Sequence, residues 1–198
     1  MHIIKLLSMS FLALFPVSFA SNYLTQLLPG VPPNMPFKLV SYGDALKTNK
    51  EHLHQAMNKQ NVDAPHRFLF MSLAMVETNT MSITQKDSSK DHTQDGSANF
   101  SIFNLNLDMI LRTGYSKDPK LLDNDTPEAI GIIQNAIQRW GICDTLDFIR
   151  GGNTTFLDHT SFGADRFRRT VATIISEIDK NNDLLHNDIR VEIDLEHV

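Results

Sequence analysis

The chain has 198 residues, enough for one domain with a sizeable core. Hydrophobic residues make up 41% and charged residues 21%, a balance that excludes a disordered or low-complexity protein. The formal net charge of -5, without a basic run, argues against a nucleic-acid partner. The single cysteine, Cys143, excludes an internal disulfide framework and a cysteine-based zinc site.

Residues 1–20 have the features of a secretory signal peptide. Lys5 gives a positive start, a mostly apolar run extends from Leu6 to Phe19, and small residues flank Phe19 where a peptidase would cleave. The run is shorter than the roughly 18 apolar residues of a membrane-spanning helix, so no membrane association is expected. A buried N-terminal helix is the alternative. We predict a secreted protein whose residues 21–198 form a single domain.

Helical patterns dominate the mature chain, because apolar residues recur at the spacing of one helix face. Helices are predicted at about residues 44–59, 65–77, 103–112, 126–140 and 163–180. Asp44 and Thr126 are the predicted N-terminal caps of two of these helices. The helix over 65–77 is apolar on nearly every face, which is typical of a buried helix.

Three stretches interrupt this helical pattern. Residues 78–97 are polar, which predicts a long loop or a small hairpin, and loops of this length are often functional. Residues 144–150 are predicted to form a short turn that Gly151 and Gly152 close. Residues 189–195 alternate apolar and polar side chains, which predicts a strand. We therefore expect an α+β fold that is mainly helical, with a small polar lobe of β or loop structure.

Glu77 is the strongest catalytic candidate in the sequence. It ends the most apolar helix and faces the polar segment, so burial and the negative end of the helix dipole are both expected to raise its pKa. A carboxylic acid that stays protonated near neutral pH can protonate a leaving group. Asp87, Asp91 and Asp95 follow, and one that stays ionised would complete the carboxylate pair of glycoside hydrolysis. The alternative is that these carboxylates are solvated surface charges.

The sequence around Glu77 is similar to that of a known enzyme family. The segment from Met75 to Met81, then Asp91, then the segment from Gly96 to Asn104 resemble glycoside hydrolase family 134. The similarity is best from Leu69 to Arg112 and is weaker from Phe148 to Gly152. Members of that family are secreted β-1,4-mannanases with a lysozyme-like fold that invert the anomeric centre. The resemblance implies the same fold and the same activity for this chain.

The resemblance also implies roles for individual residues. Glu77 would be the general acid and Asp91 the general base, with Asp87 as the alternative base because this loop is two residues longer than in the family. The substrate-binding residues would be Asn99, Phe100, Asn104, Asn106 and Arg150. Phe100 could equally belong to the core. Asn99 also starts a glycosylation sequon, a role that excludes contact with substrate.

Three classes of function remain open. The first is an inverting endo-hydrolase of a β-1,4-linked polysaccharide, with mannan preferred. The second is a lysozyme-like hydrolase of chitin or peptidoglycan, and the third is a secreted carbohydrate-binding or host-interaction protein without catalysis. The retained carboxylates favour an enzyme, whereas the low aromatic content of 8% favours the third class.

The substrate and cofactor expectations follow from charge and histidine placement. An acidic protein suits mannan better than the bacterial wall, which is itself anionic. The histidines are scattered along the sequence, so we expect neither a metal site nor a cofactor. The expected partner is therefore a polysaccharide, bound by a monomer.

Overall fold

A computed structural model of the protein describes residues 22–82, 99–156 and 162–194. In that part the chain is mostly helical with small antiparallel sheets, which confirms the predicted α+β class. The α-helices are α1 (Asn22–Leu27), α2 (Gly43–Lys59), α3 (Ala64–Glu77), α4 (Leu107–Arg112), α5 (Thr126–Trp140), α6 (Ile142–Phe156) and α7 (Phe162–Lys180). The strands are β1 (Phe37–Ser41), β2 (Asn99–Phe100), β3 (Leu105–Asn106) and β4 (Ile189–Ile193), and short 3-10 helices cover Pro119–Asp123 and Asn182–Leu185.

Helices α3 and α5 begin at aspartate caps. The Asp63 side chain accepts a hydrogen bond from the His66 N–H at 3.0 Å and so caps α3. Asp125, rather than the predicted Thr126, caps α5 in the same way. Gly141 ends α5 as predicted, because its φ of 84° is one that glycine adopts without strain.

Helix α2 covers its predicted range, but its predicted cap is wrong. Tyr42 occupies the N-cap position without a side-chain hydrogen bond, and Asp44 lies inside the first turn. A carboxylate there still favours the helix, because it lies near the positive end of the helix dipole. The predicted apolar face of α2, which includes Leu46 and Met57, is buried.

The predicted turn at residues 144–150 is also wrong, since these residues belong to α6. The helix continues through Gly151 and Gly152 to Phe156. Glycine disfavours a helix by about 1 kcal/mol per residue relative to alanine. The packing of α6 against α5 and α7 outweighs that preference here.

The helix predicted from about residue 103 begins later, because a short hairpin precedes it. β2 pairs with β3 in antiparallel fashion, with Asn99 opposite Asn106 and Phe100 opposite Leu105. The Asn106 side chain then accepts a hydrogen bond from the backbone two residues further on, at 2.9 Å, and caps α4.

The strand predicted near the end of the chain pairs with a strand near its start. β4 runs antiparallel to β1, with Phe37 opposite Ile193 and Ser41 opposite Ile189. The sequence does not predict β1, because apolar and polar residues do not alternate along it. Most of its side chains are exposed, and Leu39, for example, is 51% exposed. The β1–β4 pair packs against α2, α3 and α7.

Helix α3 lies at the centre of the core. Its residues from Phe68 to Met75 are all buried, as the apolar pattern predicts, and α1, α2, α7 and β4 pack around it. No helix of the described ranges combines the length and apolarity needed to cross a membrane. Because α3 is held on several sides, the core fixes the position of the carboxylate at its end, Glu77.

Candidate functional site

The end of α3 brings Glu77 to the wall of a pocket of about 380 Å³. The helix stops there because Thr78 adopts an extended backbone, with φ -143° and ψ 143°. The Thr78 N–H and hydroxyl both donate to the carbonyl of Ala74, at 3.3 and 3.4 Å, and so satisfy one carbonyl of the last turn. Glu77 itself is half-buried, at the boundary between the apolar core and the pocket.

Hydrogen bonds from two elements fix the segment that follows Glu77. Asn49 of α2 donates through Nδ2 to the Thr80 carbonyl at 2.8 Å. Arg190 of β4 donates through Nη1 to Asn79 Oδ1 at 2.5 Å. The segment that follows Glu77 is therefore tied to both α2 and β4.

Three arginines from three different elements line the same pocket. They are Arg150 of α6, Arg166 of α7 and Arg190 of β4. Arg150 is exposed and Arg166 is half-buried, whereas Arg190 is only 8% exposed. Three of the chain's eight arginines thus converge on one pocket, although the whole chain has a formal net charge of -5.

Arg190 is a buried cation with aromatic and polar neighbours. Its guanidinium carbon lies 5.8 Å from the centroid of the Tyr42 ring, and the Tyr42 hydroxyl donates a hydrogen bond to the Glu192 carboxylate. Burial lowers the pKa of Arg190, because the charged form loses solvation. The buried Nε–H of Arg190 has no hydrogen-bond acceptor among the described residues.

The rest of the pocket lining is mostly apolar. Its members are Met75, Val76, Phe167, Ile174, Val191 and Ile193, together with Gly163 and Thr170. Apolar walls with a few convergent polar groups are typical of ligand-binding pockets. The arrangement can therefore hold a ligand with an apolar face and present a carboxyl group and several guanidinium groups to it.

The structure brings together two of the site residues predicted from sequence. Glu77 and Arg150 lie far apart in the chain, yet both line this pocket. The predicted substrate contacts Asn99, Asn104 and Asn106 are not among the described residues that line it.

Three of the predicted substrate contacts have structural features of their own in the β2–β3 region. Asn106 caps α4, and Asn104 occupies a turn with a φ of 55°. Phe100 is 4% exposed and belongs to the core cluster, which favours its core alternative over a sugar contact. This hairpin packs against α4, α6 and the 3-10 helix Pro119–Asp123.

The predicted general base lies outside the described residues. Asp91, its alternative Asp87, and Asp95 all belong to the segment 83–98, and the predicted signal peptide also lies outside the described part. Their predicted roles stay predictions. In the ranges that the structure describes, no group of three or more His, Cys, Asp or Glu side chains is placed to hold a metal ion.

Sequence reasoning did not identify Arg166 or Arg190 as site residues. Arg190 stands at a polar position of an alternating strand, where an exposed side chain is the normal expectation. Arg166 begins the sequence Arg-Phe-Arg-Arg, which is typical of the polar face of an amphipathic helix. Their convergence depends on the fold, because β4 and α7 meet at the end of α3.

Comparison with known proteins leaves the family open. The chain matches no protein-family model, and no curated protein matches its sequence. The geometry of the pocket at the end of α3 is therefore the main support for a function.

Proposed function

We propose that the protein is a secreted, inverting endo-glycoside hydrolase that cleaves a β-1,4-linked polysaccharide in the pocket at the end of α3. The observation that carries the proposal is the placement of Glu77. Its carboxyl group ends a buried helix, is itself half-buried, and lines a pocket together with Arg150. The lysozyme-like fold and the preference for mannan belong to the same proposal, on the strength of the sequence resemblance around Glu77.

The proposed reaction uses two carboxyl groups in different roles. Glu77 protonates the glycosidic oxygen of the leaving sugar. Asp91, or Asp87 in its place, removes a proton from a water molecule that attacks the anomeric carbon from the opposite face. The bond from that carbon to the glycosidic oxygen breaks as the bond to the water oxygen forms, so the anomeric configuration inverts. No cofactor takes part.

An inverting mechanism sets the distance between the two carboxyl groups. The carboxyl carbons of Glu77 and Asp91 should lie about 6.5–9.5 Å apart, which leaves room for the attacking water. A crystal structure with Asp87 at that distance would change the base and keep the mechanism. Both aspartates far from Glu77 would contradict an enzyme at this pocket.

A secreted carbohydrate-binding protein without catalysis is the second candidate. The low aromatic content of 8% in the sequence favours it. Chitin and peptidoglycan are the alternative substrates if the protein is a hydrolase.

A substrate panel tests the proposal. The purified protein is incubated with mannan, chitin, xylan and peptidoglycan, and new reducing ends are counted. We expect cleavage of a β-1,4-linked glycan by the wild type and by Glu51→Gln, whose side chain is exposed on α2, but not by Glu77→Gln. Cleavage of chitin or peptidoglycan alone would overturn the mannan preference. A folded wild type that cleaves none of them, and no acidic β-1,4-linked glycan either, would favour the binding protein.

A further inference from the structure

We infer that the pocket at the end of α3 recognises a carboxylated sugar, so that its glycan contains uronic acid residues. The observation is the convergence of Arg150, Arg166 and Arg190 on the pocket that holds Glu77. The inference rests on the proposed hydrolase, because it names the substrate class of the same site, and it replaces neutral mannan with an acidic β-1,4-linked glycan.

A neutral glycan brings no charge to these arginines. Mannan offers only hydroxyl groups, whose oxygens accept neutral-type hydrogen bonds from a guanidinium group. A guanidinium group has a planar fork of donors that matches the two oxygens of a carboxylate, and such charge-assisted hydrogen bonds are about twice as strong as neutral ones. Three arginines in one pocket therefore favour a ligand that carries negative charge.

Arg190 makes the pocket a built site. The side chain is more than nine-tenths buried, and its Nε–H has no acceptor within the described ranges. A buried donor without an acceptor is unfavourable, so holding this guanidinium group in the pocket wall costs the folded protein stability. The hydrogen bond from Nη1 to Asn79 already orients the guanidinium group before a ligand arrives.

The pocket arginines differ from their neighbours on α7. Arg168 contacts the buried Asp147 at 3.5 Å, and Arg169 contacts Asp165 at 3.6 Å. Arg150 and Arg166 form no ion pair with a carboxylate in the part of the chain that the structure describes. Among the described residues that line the pocket, Glu77 is the one carboxylate beside three guanidinium groups, so the lining carries an excess of positive charge within a protein of net negative charge.

The apolar lining favours a sugar over a bare anion. Phe167, Ile174 and Val191 give the pocket walls that can pack against the C–H face of a pyranose ring. A volume of about 380 Å³ is also more than an inorganic phosphate needs and falls within the range of small-molecule pockets. A sugar ring with a carboxylate satisfies both the walls and the arginines.

A matched pair of oligosaccharides tests the inference. β-1,4-Mannohexaose and the β-1,4-linked hexasaccharide of mannuronate share length, linkage and ring configuration, and differ only in the carboxylate at C6. Calorimetric titration of the Glu77→Gln protein, which blocks turnover, should show at least about tenfold tighter binding of the mannuronate hexasaccharide.

Two arginine variants on α7 distinguish binding by the pocket arginines from a general attraction between the ligand and the positive charge of the helix. Arg166→Gln and Arg169→Gln each remove one positive charge from this helix, but only Arg166 lines the pocket. We expect Arg166→Gln to weaken binding of the mannuronate hexasaccharide about tenfold, a clearly larger loss than for mannohexaose. Arg169→Gln should stay close to the parent protein. Arg150→Gln changes a pocket residue at an exposed position on α6, and it should also weaken binding of the mannuronate hexasaccharide.

Several results would overturn the inference. They are equal binding of the two hexasaccharides, binding of neither by a folded protein, an equal loss in Arg166→Gln and Arg169→Gln, and displacement by inorganic phosphate at equal concentration. Hydrolysis is scored separately with the wild type. Selective binding without hydrolysis supports the inference and contradicts the proposed function. Hydrolysis without selective binding supports the proposed function and contradicts the inference.

Discussion

Lys50 and Arg190 are both buried cations near the β1–β4 pair, but they differ in how their hydrogen bonds are satisfied. Lys50 of α2 is fully buried, and its Nζ donates to the carbonyls of Leu184 at 2.5 Å and Ile189 at 2.6 Å. Arg190 follows Ile189 directly, but it lines the pocket and its Nε–H has no acceptor among the described residues. Lys50 ties α2 to the 3-10 helix Asn182–Leu185 and to β4, whereas Arg190 lines a pocket with part of its hydrogen-bonding capacity unused in the described ranges.

The comparison teaches that burial of a charge does not by itself identify a functional residue. Burial lowers the pKa of both side chains, and that of Lys50 falls to about 8. Backbone carbonyls of the protein accept the hydrogen bonds of Lys50, so its role is structural. Arg190 differs because it combines a buried unsatisfied donor with a position in a pocket that also contains Glu77.

The largest expected effect is a loss of hydrolysis when Glu77, in the pocket that Arg190 lines, is replaced. Glu77→Gln keeps the size and hydrogen bonding of the side chain but cannot donate an acidic proton. Hydrolysis should fall at least about 10²–10⁴-fold, while the free energy of unfolding stays close to that of the wild type. Activity and thermal unfolding are measured on the same preparation, with Glu51→Gln as the control. Full activity in Glu77→Gln would refute the proposed mechanism.

The second prediction concerns Lys50, whose role is structural. Its lowered pKa should make the free energy of unfolding rise at alkaline pH. Between pH 8 and its ordinary value of 10.5, the unfolded chain keeps the Lys50 proton that the folded chain has released. Raising the pH through this window therefore favours folding. Relative to Lys50→Met, the wild type should gain up to about 3 kcal/mol in free energy of unfolding, since one pKa unit is worth about 1.4 kcal/mol.

Urea titrations of both proteins at several pH values measure this difference. Tyrosine ionisation acts on both proteins, so it cancels in the comparison. A difference in free energy that does not change with pH would show that Lys50 keeps an ordinary pKa in the folded protein.

At neutral pH, Lys50→Met should lower the free energy of unfolding by roughly 1–3 kcal/mol. The substitution leaves the carbonyls of Leu184 and Ile189 without their donor, and this outweighs the relief of removing a buried charge. The matched control is Lys47→Met, because Lys47 is exposed on the same helix and its loss should have little effect. Equal stability of the two variants would mean that water or another group replaces the ammonium.

The smallest effect concerns acid pH. Burial lowers the pKa of His54, and the positive charges of Arg67 and Lys50 act in the same direction, although the Leu185 carbonyl at 3.1 Å opposes the shift. His186 stacks on the ring, with the centroids 4.7 Å apart, and also lowers the pKa.

As the pH falls, His54 is therefore protonated in the unfolded chain before it is protonated in the folded one. The free energy of unfolding decreases as the pH drops from 6.5 towards the pKa of His54 in the folded protein. His54→Gln should reduce this acid sensitivity. His52→Gln, at an exposed position on the same helix, should not. Thermal unfolding between about pH 7 and 5 compares the three proteins, and identical profiles would exclude His54 as the sensitive group.

Local patterns in the sequence were sufficient for much of the fold. The apolar spacing predicts α2, α3, α5 and α7, because each helix buries one face or, for α3, nearly all of its surface. It does not predict β1, whose exposed side chains lack alternation and whose strand depends on pairing with β4. The glycines of α6 predict a helix end, but packing between helices overrides that local preference.

The site was predictable only in part. Glu77 stands out in the sequence because a carboxylate ends an apolar helix, and Arg150 was proposed from the family resemblance. Arg166 and Arg190 carry no local signal, since an arginine on a polar helix face or strand position is ordinary. Long-range packing places them around the same pocket as Glu77, and no spacing rule within one segment describes that arrangement.

The configuration of the first product tests the central claim most directly. The wild type is mixed with a β-1,4-linked oligosaccharide that it cleaves, and proton NMR follows the anomeric signals before mutarotation. An inverting hydrolase with Glu77 as its acid should release the α-anomer first and should release none in Glu77→Gln. Initial release of the β-anomer, or cleavage that survives Glu77→Gln, would contradict the proposal.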